Sequence, residues 1–422
     1  MQHVIIGAGP AGVVAAEHLR KLDPDSKVAL IGDEPEPPYS RMAIPYYLIK
    51  QVDEVGTYLR KDAHHYAERG IDVIQDRVTG IDTGKQECKL EKGGSISYDK
   101  LLIATGSHPF SPPVPGIESP GVYPCWTLAD AREIIKLAQA GNKVVLMGAG
   151  FIGCIILEAL ATSGVDLTVV EMENRMVPRM MNETSGNMIK DWCSSKGVAV
   201  HTSTKVDAIE PGSDGRALRV LLDNGNTLAA DLVISATGVR SNIDFLEATN
   251  VDTDFGILVN HHLQTNDPNV YAAGDVAQGK DFSTGEYSVQ AIQPTAADHG
   301  RIAASNMAGR VQIHQGSVNM NVLDTMGLIS SSFGMWMGVD GGDSVELHDP
   351  GRFRYLNLQF QDDVLVGASS LGLTEHIGVL RGLIQSRVKL NSWKEKLKED
   401  PTRVMEAYIA NTQAIGHNAH VL

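Results

Sequence analysis

The chain of 422 residues, 43% hydrophobic with 42 glycines, is too long for one ordinary domain and too apolar to be disordered or fibrous. Lys+Arg 36 against Asp+Glu 51 leaves a net charge of −15, the opposite of a nucleic-acid binder's basic footprint. No apolar run approaches the ~18 residues of a membrane span, no secretory signal precedes the first strand, and Cys88, Cys125, Cys154 and Cys193 form no CxxC or metal cluster, so a cytoplasmic protein without metal or disulfide framework is expected.

The N-terminus reads as a short strand at His3–Ile6, a glycine turn Gly7-Ala8-Gly9-Pro10-Ala11-Gly12, and an amphipathic helix. In such a motif the first glycine permits the tight turn, the second lets backbone approach a pyrophosphate, and the third brings helix against strand. The helix N-terminus then offers unpaired N–H groups to phosphate oxygens. A second strand from Lys27 ends at Asp33-Glu34, where a carboxylate suits a ribose hydroxyl. The pattern recurs with a strand from Lys143, the turn Gly148-Ala149-Gly150-Phe151-Ile152-Gly153, and a second strand closing on Glu171. Apolar strands ending in Ala104-Thr105-Gly106 and Ala236-Thr237-Gly238 repeat at nearly the offset of the glycine motifs. One nucleotide-binding unit used twice is the simplest account.

A third motif, Asn269-Val-Tyr-Ala-Ala-Gly274-Asp275, completes a set that resembles the two-dinucleotide-binding flavoproteins of the pyridine nucleotide-disulfide oxidoreductase superfamily, from residue 2 to about Gly309. The resemblance implies an α/β fold of two Rossmann-like domains with a C-terminal α+β interface domain. It places a discontinuous FAD domain at 1–112 and 245–310, an NAD(H) domain at 113–244, and the interface domain, with a helical tail and a role in homodimerisation, at 311–422. FAD is then expected on Gly7, Gly9, Pro10, Ala11, Gly12, Asp33, Glu34, Arg41, Val78, Ala104, Thr105, Gly106, Gly274, Asp275, Pro294 and Thr295, with Asp275 on the ribityl chain. NAD is expected on Gly148, Gly150, Phe151, Ile152, Gly153, Glu171, Ala236, Thr237 and Gly238. Glu171 has no arginine cluster directly after it, which favours NADH, with Arg175 and Arg179 as the residues that would reverse the preference.

The segment Pro37-Pro38-Tyr39-Ser40-Arg41 resembles rubredoxin, ferredoxin and NADH-nitrite reductases, where the arginine contacts FAD phosphates; Ala43-Ile-Pro-Tyr-Tyr47 is closer to NADH oxidases and coenzyme A-disulfide reductases. Met42 falls where that branch carries its redox cysteine, and a thioether forms no thiolate, sulfenic acid or mixed disulfide. The second fingerprint also departs from the family: Cys154 follows it, read as a small buried residue, and Glu158 comes later than the usual glutamate. A helix is expected after Pro294, with its N-terminus toward the flavin and His299 read as a surface residue. Strand-like runs at 317–323, 354–360 and 364–369 precede a helical segment from Trp393 to about Ala414 and a tail at 416–420. The stretch from Met326 to Gly342 reads as loop and core, and His64-His65 and His261-His262 as surface pairs. The resemblance implies an FAD-dependent NADH oxidoreductase with hydride transfer at flavin N5, exchanging electrons with an iron–sulfur protein or with the iron–sulfur subunits of a complex. The rivals are an NADH oxidase or quinone reductase and, in another class, a flavoprotein that senses redox state through partner binding.

Overall fold

The computed structural model describes residues 1–212 and 217–418, with side chains of the last helix as far as Thr412. Along the chain, β1 (Gln2–Ile6), α1 (Pro10–Leu22), β2 (Lys27–Gly32), β3 (Ile71–Gln75) and β4 (Lys100–Ile103) come first. Then follow β5 (Val122–Tyr123), β6 (Lys143–Met147), α2 (Phe151–Thr162), β7 (Asp166–Val170), α3 (Glu183–Ser195), β8 (Ala199–His201) and β9 (Leu232–Ser235). Next are β10 (Val270–Ala272) and α4 (Gln293–Met307), and the chain ends with β11 (Met320–Thr325), β12 (Leu328–Gly334), β13 (Asp343–Asp349), β14 (Arg354–Gln361), β15 (Val364–Leu371), α5 (Ile377–Ser386), α6 (Trp393–Glu399) and α7 (Val404–Asn418).

Two compact units divide the chain: Met1–Phe110 with Trp126–Leu128 and Val239–Ser317, and Ser111–Cys125 with Ala129–Gly238 and Val318–Leu422. The first is built on a sheet ordered β3-β2-β1-β4-β10, in which every pairing is parallel. The second repeats the first four strands as β8-β7-β6-β9, all parallel, and adds β5, which precedes them in the chain, at the fifth place. Each half also inserts an antiparallel three-stranded meander before its Ala-Thr-Gly strand, at Val78–Asp82, Glu87–Leu90 and Ser95–Ser97 and at Val206–Pro211, Leu218–Leu222 and Thr227–Ala230. The repeat inferred from motifs is thus a repeat of topology.

Burial explains why these runs become central strands. Val4, Ile5, Leu30, Ile31 and Leu101–Ile103 are all buried, as parallel strands covered on both faces require. Helix α1 buries Ala11, Gly12, Val13, Ala15, Ala16 and Leu19, begins with Pro10 in its first turn and carries Arg20 and Lys21 in its last, so cations stand at the negative end of its dipole. Its small residues let α4 close in: a Cβ on Gly300 would stand 2.4 Å from the Ala11 carbonyl oxygen.

The C-terminal sheet is antiparallel, ordered β11-β12-β15-β14-β13, and packs Phe333, Leu356, Leu358, Phe360 and Ala368 against Leu380, Leu383, Ile384, Leu397 and Ala407 of the closing helices. The expected strands near 317, 354 and 364 begin at Met320, Arg354 and Val364. The stretch from Met326 supplies strand β12, and β13 is an added edge strand. The helical segment from Trp393 divides into α6 and α7, and α7 takes in His417, which the sequence placed in the tail; His420 lies outside the described residues. No helix among the described residues is long and apolar enough to cross a membrane.

Candidate functional site

Both glycine turns join a strand end to a helix N-terminus, and their glycines divide into two kinds. Gly7 has φ +109°, and a Cβ there would stand 2.1 Å from the Ala104 carbonyl oxygen; one on Gly12 would stand 1.9 Å from the Gly7 oxygen. Gly148 (φ +95°) and Gly153 repeat this, with 2.5 Å to the Ala236 oxygen and 2.1 Å to the Gly148 oxygen. No side chain fits at these four positions. Gly9 and Gly150, by contrast, have nothing within 4 Å of a Cβ, and the same is true of Gly106 and Gly238 at the ends of the Ala-Thr-Gly strands. Bare backbone facing open space at a helix N-terminus is the cradle a dinucleotide pyrophosphate needs. Pro10, Ala11, Phe151 and Ile152 occupy the first turns of α1 and α2. Val78 is buried in the core of the first unit and pairs with Leu90 in the meander.

The acids after the second strands differ between the halves. Glu171 directly follows β7 and is 5% exposed. Its Oε2 accepts the Ala149 N–H at 2.6 Å and its Oε1 the Glu173 N–H at 2.9 Å, which ties strand end to glycine turn. By register, Ile31 pairs with Ile6 as Val170 pairs with Met147. Gly32, not Asp33, therefore matches Glu171. A Cβ on Gly32 would meet the Ala8 Cβ at 2.8 Å, so the first half has no room for a glutamate there. Asp33 lies half exposed, 3.3 Å from Arg77, and Glu34 accepts from Tyr39 Oη at 2.5 Å and Arg41 Nη2 at 2.6 Å. Arg175 is engaged by its own loop, donating to the carbonyl oxygens of Met181 and Pro178 and to Asn174 Oδ1. Arg179 is exposed.

Several elements of the first unit converge on Asp275. Gly274 has φ +76° and sits where a Cβ would meet Ala11 of α1 at 3.2 Å and Ala296 of α4 at 3.5 Å. Ser107 Oγ donates to Asp275 Oδ2 at 3.1 Å, and Ser241 Oγ to the Asp275 carbonyl oxygen at 3.0 Å. Burial pushes the Asp275 carboxyl up, against the Ser107 hydrogen bond and the Arg41 charge that draw it down. Trp126 Nε1 donates to the Ser107 carbonyl oxygen at 3.1 Å, and Arg41 Nη1 donates to the Trp126 carbonyl oxygen at 2.8 Å. Pro294 and the buried Thr295 form the first turn of α4, and Ser40 Oγ donates to the adjoining Gln293 Oε1 at 2.7 Å. Thr105 and Asn242 exchange hydrogen bonds of 2.9 and 2.7 Å beside Gly106.

Met42 is 46% exposed on the turn after Arg41. Cys154 is buried, with its thiol pushed well above the ordinary range by burial, and it donates to the Ala149 carbonyl oxygen at 3.5 Å. Glu158 faces the C-terminal sheet, where the Met326 backbone N–H serves it and burial raises its carboxyl. Two histidine readings are corrected. His299 is buried, because the loop carrying His314 and Ser317 folds over α4. His65 is half-buried and bonded to Glu17 at 2.7 Å, beside the Arg60–Glu17 pair. Neither was visible in sequence, since both partners come from distant segments.

Comparison with known proteins agrees with this architecture. The family description "Pyridine nucleotide-disulphide oxidoreductase" matches residues 1–300. The epsilon subunit of the NADH-dependent phenylglyoxylate dehydrogenase of Aromatoleum evansii is 30% identical over 97% of this chain and 98% of its own length. An NADH oxidase of Methanocaldococcus jannaschii is 33% identical over 73% of this chain and 70% of its own. The ferredoxin–NAD(+) reductase component of the anthranilate 1,2-dioxygenase system of Burkholderia cepacia is 30% identical over 90% of this chain and 93% of its own. With the family match over residues 1–300 and two relatives 30% identical over 97% and 90% of its length, the chain belongs to the pyridine nucleotide-disulphide oxidoreductase family and is an FAD-dependent NAD(P)H oxidoreductase.

Proposed function

We propose that the chain moves electrons between NAD(H) and an iron–sulfur protein or partner subunit. Met42 carries this reading: the exposed turn beside Arg41 presents a thioether where a cysteine would be needed to reduce disulfides or peroxides. When bound, FAD supplies the exchange between the paired electrons of a hydride and the single electrons of a metal centre. In the first unit Gly9 and the N-terminus of α1 would take the FAD pyrophosphate, Asp33 or Glu34 the adenosine ribose, and Asp275 the ribityl hydroxyls. Arg41 would turn from Glu34 toward the phosphates. The N-terminus of α4, at Pro294 and Thr295, would stabilise negative charge on the reduced ring. In the second unit Gly150 and the first turn of α2 would take the NAD(H) pyrophosphate. Glu171, fixed by two backbone N–H groups, would accept from the adenosine ribose and repel a 2′-phosphate. With Arg175 bound to its own loop, NADH is the preferred coenzyme.

The full-length relation to a dehydrogenase subunit and to a ferredoxin–NAD(+) reductase component supports an iron–sulfur partner. The net charge of −15 opposes long-range attraction to an acidic carrier, which favours a stably bound subunit. The test is purification from the native source with iron analysis, followed by NADH-driven rates with iron–sulfur protein, oxygen and quinone. Co-purifying iron and a dominant iron–sulfur rate are expected. A protein that emerges alone and reduces oxygen or quinone fastest would establish the oxidase reading, which the Methanocaldococcus jannaschii relative supports. Full reduction by one NADH per flavin, without a long-wavelength thiolate band, is expected in either case.

A further inference from the structure

A buried polar relay stands behind the Gly274–Asp275 turn. His299, inside α4, is 4% exposed. Its Nδ1 lies 3.4 Å from the Gly274 backbone nitrogen, and its Nε2 lies 3.4 Å from Ser317 Oγ. Ser317 Oγ is also 3.2 Å from His314 Nε2, and the two imidazole rings meet edge to face at 4.6 Å. A backbone N–H can only donate, so Nδ1 must be the acceptor and the proton of the neutral ring belongs on Nε2. That proton is donated to Ser317 Oγ, which leaves the Ser317 hydroxyl hydrogen for His314 Nε2. The order of donors runs one way, from the Gly274 N–H through His299 and Ser317 to His314. Burial, with His314 alongside, pushes His299 down to about 3, so the ring is neutral at physiological pH and its Nδ1 lone pair is available.

The Gly274 peptide has little freedom of its own. Its left-handed backbone is wedged between Ala11 and Ala296, and Asp275 follows it directly. Ser241 holds the Asp275 carbonyl and Ser107 its carboxylate. His299 supplies the third hold, on the Ala273–Gly274 peptide one residue ahead of Asp275.

We propose that His299 is a positioning residue for FAD: its Nδ1 fixes the Gly274 N–H and so aims the Asp275 carboxylate, while Ser317, accepting the Nε2 proton, supports the ring tautomer that this N–H requires. This rests on the reading that Asp275 binds the ribityl chain, so Asp275→Ala belongs in the same experiment. FAD dissociation is measured by dilution of the purified holoenzyme and flavin fluorescence of the filtrate, with the visible flavin spectrum as a second readout. His299→Leu leaves the Gly274 N–H buried without an acceptor. It should raise the FAD Kd about tenfold or more and shift the flavin bands. His299→Asn places an amide oxygen where Nδ1 stood and should return the Kd to within about threefold of wild type. A wild-type Kd and spectrum in His299→Leu, or an equal loss in both variants, would overturn the proposal. If His299→Leu does not accumulate as folded protein, Ser317→Ala decides: it removes the acceptor of the Nε2 proton, loosens the ring and should weaken FAD about threefold, and an unchanged Kd overturns the inference. Asp275→Ala with a wild-type Kd would sink the ribityl reading and this inference together. Loss of FAD in Asp275→Ala but not in His299→Leu would sink this inference alone.

Discussion

Alanine at Gly9 and at Gly12 should fail in different ways, although the residues are one helical turn apart. Gly9 has φ −80° and ψ −173°, ordinary extended backbone for any residue, and nothing lies within 4 Å of its would-be Cβ. Gly9→Ala should therefore fold, at a cost of about 1 kcal/mol for alanine at a helix N-cap, or a Tm loss of about 2–4 °C. The methyl group would occupy the open space at the α1 N-terminus, through which, in the proposed assignment, a pyrophosphate approaches the α1 N–H groups. Losing one charge-assisted hydrogen bond there costs about 1.5–3 kcal/mol, which is a 10- to 100-fold rise in the FAD Kd. Gly12→Ala puts a carbon 1.9 Å from the Gly7 oxygen, where real contacts exceed 3.0 Å. Strand turn and helix would have to part by roughly 1 Å, and Gly300 of α4, whose own Cβ would stand 2.4 Å from the Ala11 oxygen, braces α1 from behind. Overpacking of that kind costs about 3 kcal/mol or more, so Gly12→Ala should lower Tm by roughly 6–12 °C and lose FAD as a consequence. Tm by circular dichroism and FAD Kd by dilution of the holoenzyme separate the two. A Gly9→Ala protein that holds FAD like wild type would show that the pyrophosphate does not pass this turn.

Glu171→Ala should lower the NADH/NADPH ratio of kcat/KM and destabilise the protein by about 2–5 kcal/mol, because the Ala149 and Glu173 N–H groups lose a charged acceptor; an unchanged ratio would remove Glu171 from coenzyme choice. Stability should also fall with acidification through His299. Its value is lowered from 6.5 to about 3, so between those pH values the unfolded chain binds a proton that the folded one refuses. The contribution is intact above pH 6.5 and about 2 kcal/mol is lost by pH 5. Urea unfolding at pH 8 and 5 should show this slope in wild type and a shallower one in His299→Asn; identical slopes would contradict the burial of a neutral ring.

The parallel sheets were legible because their signals are local. Four- to six-residue apolar runs, glycines at fixed offsets and Ala-Thr-Gly strand ends each need only neighbours in sequence to be recognised. The C-terminal sheet was harder. Strand β12 carries Ser330, Ser331 and Ser332 fully inside, a run with no apolar alternation, and its burial is made tolerable by partners such as the 2.7 Å contact of Ser331 with Ser370 on β15. Strand β13 alternates half-buried and exposed positions because it is the edge of the sheet, and its inward residues, Val345 and Leu347, are too few to stand out among acids.

The site shows the same division between local and distant signals, and the two acidic ends make the point most clearly. Both second strands end near carboxylates, and sequence alone treats Asp33 and Glu171 as equivalents. The ladder registers make Gly32 the equivalent of Glu171, and the reason is the Ala8 methyl, which leaves a Cβ at residue 32 only 2.8 Å of room. In the second half the carboxylate is bound to two backbone N–H groups, so in the proposed role its charge would be held in place and discrimination against a 2′-phosphate would cost no reorganisation. In the first half the acids lie beyond the strand on side-chain contacts alone, Asp33 with Arg77 and Glu34 with Arg41 and Tyr39. In the proposed assignment, Arg41 would leave the Glu34–Arg41 pair for contacts to the ligand. A rigid acid suits a coenzyme that enters and leaves at every turnover, while an exchangeable pair suits a resident cofactor whose arrival happens once.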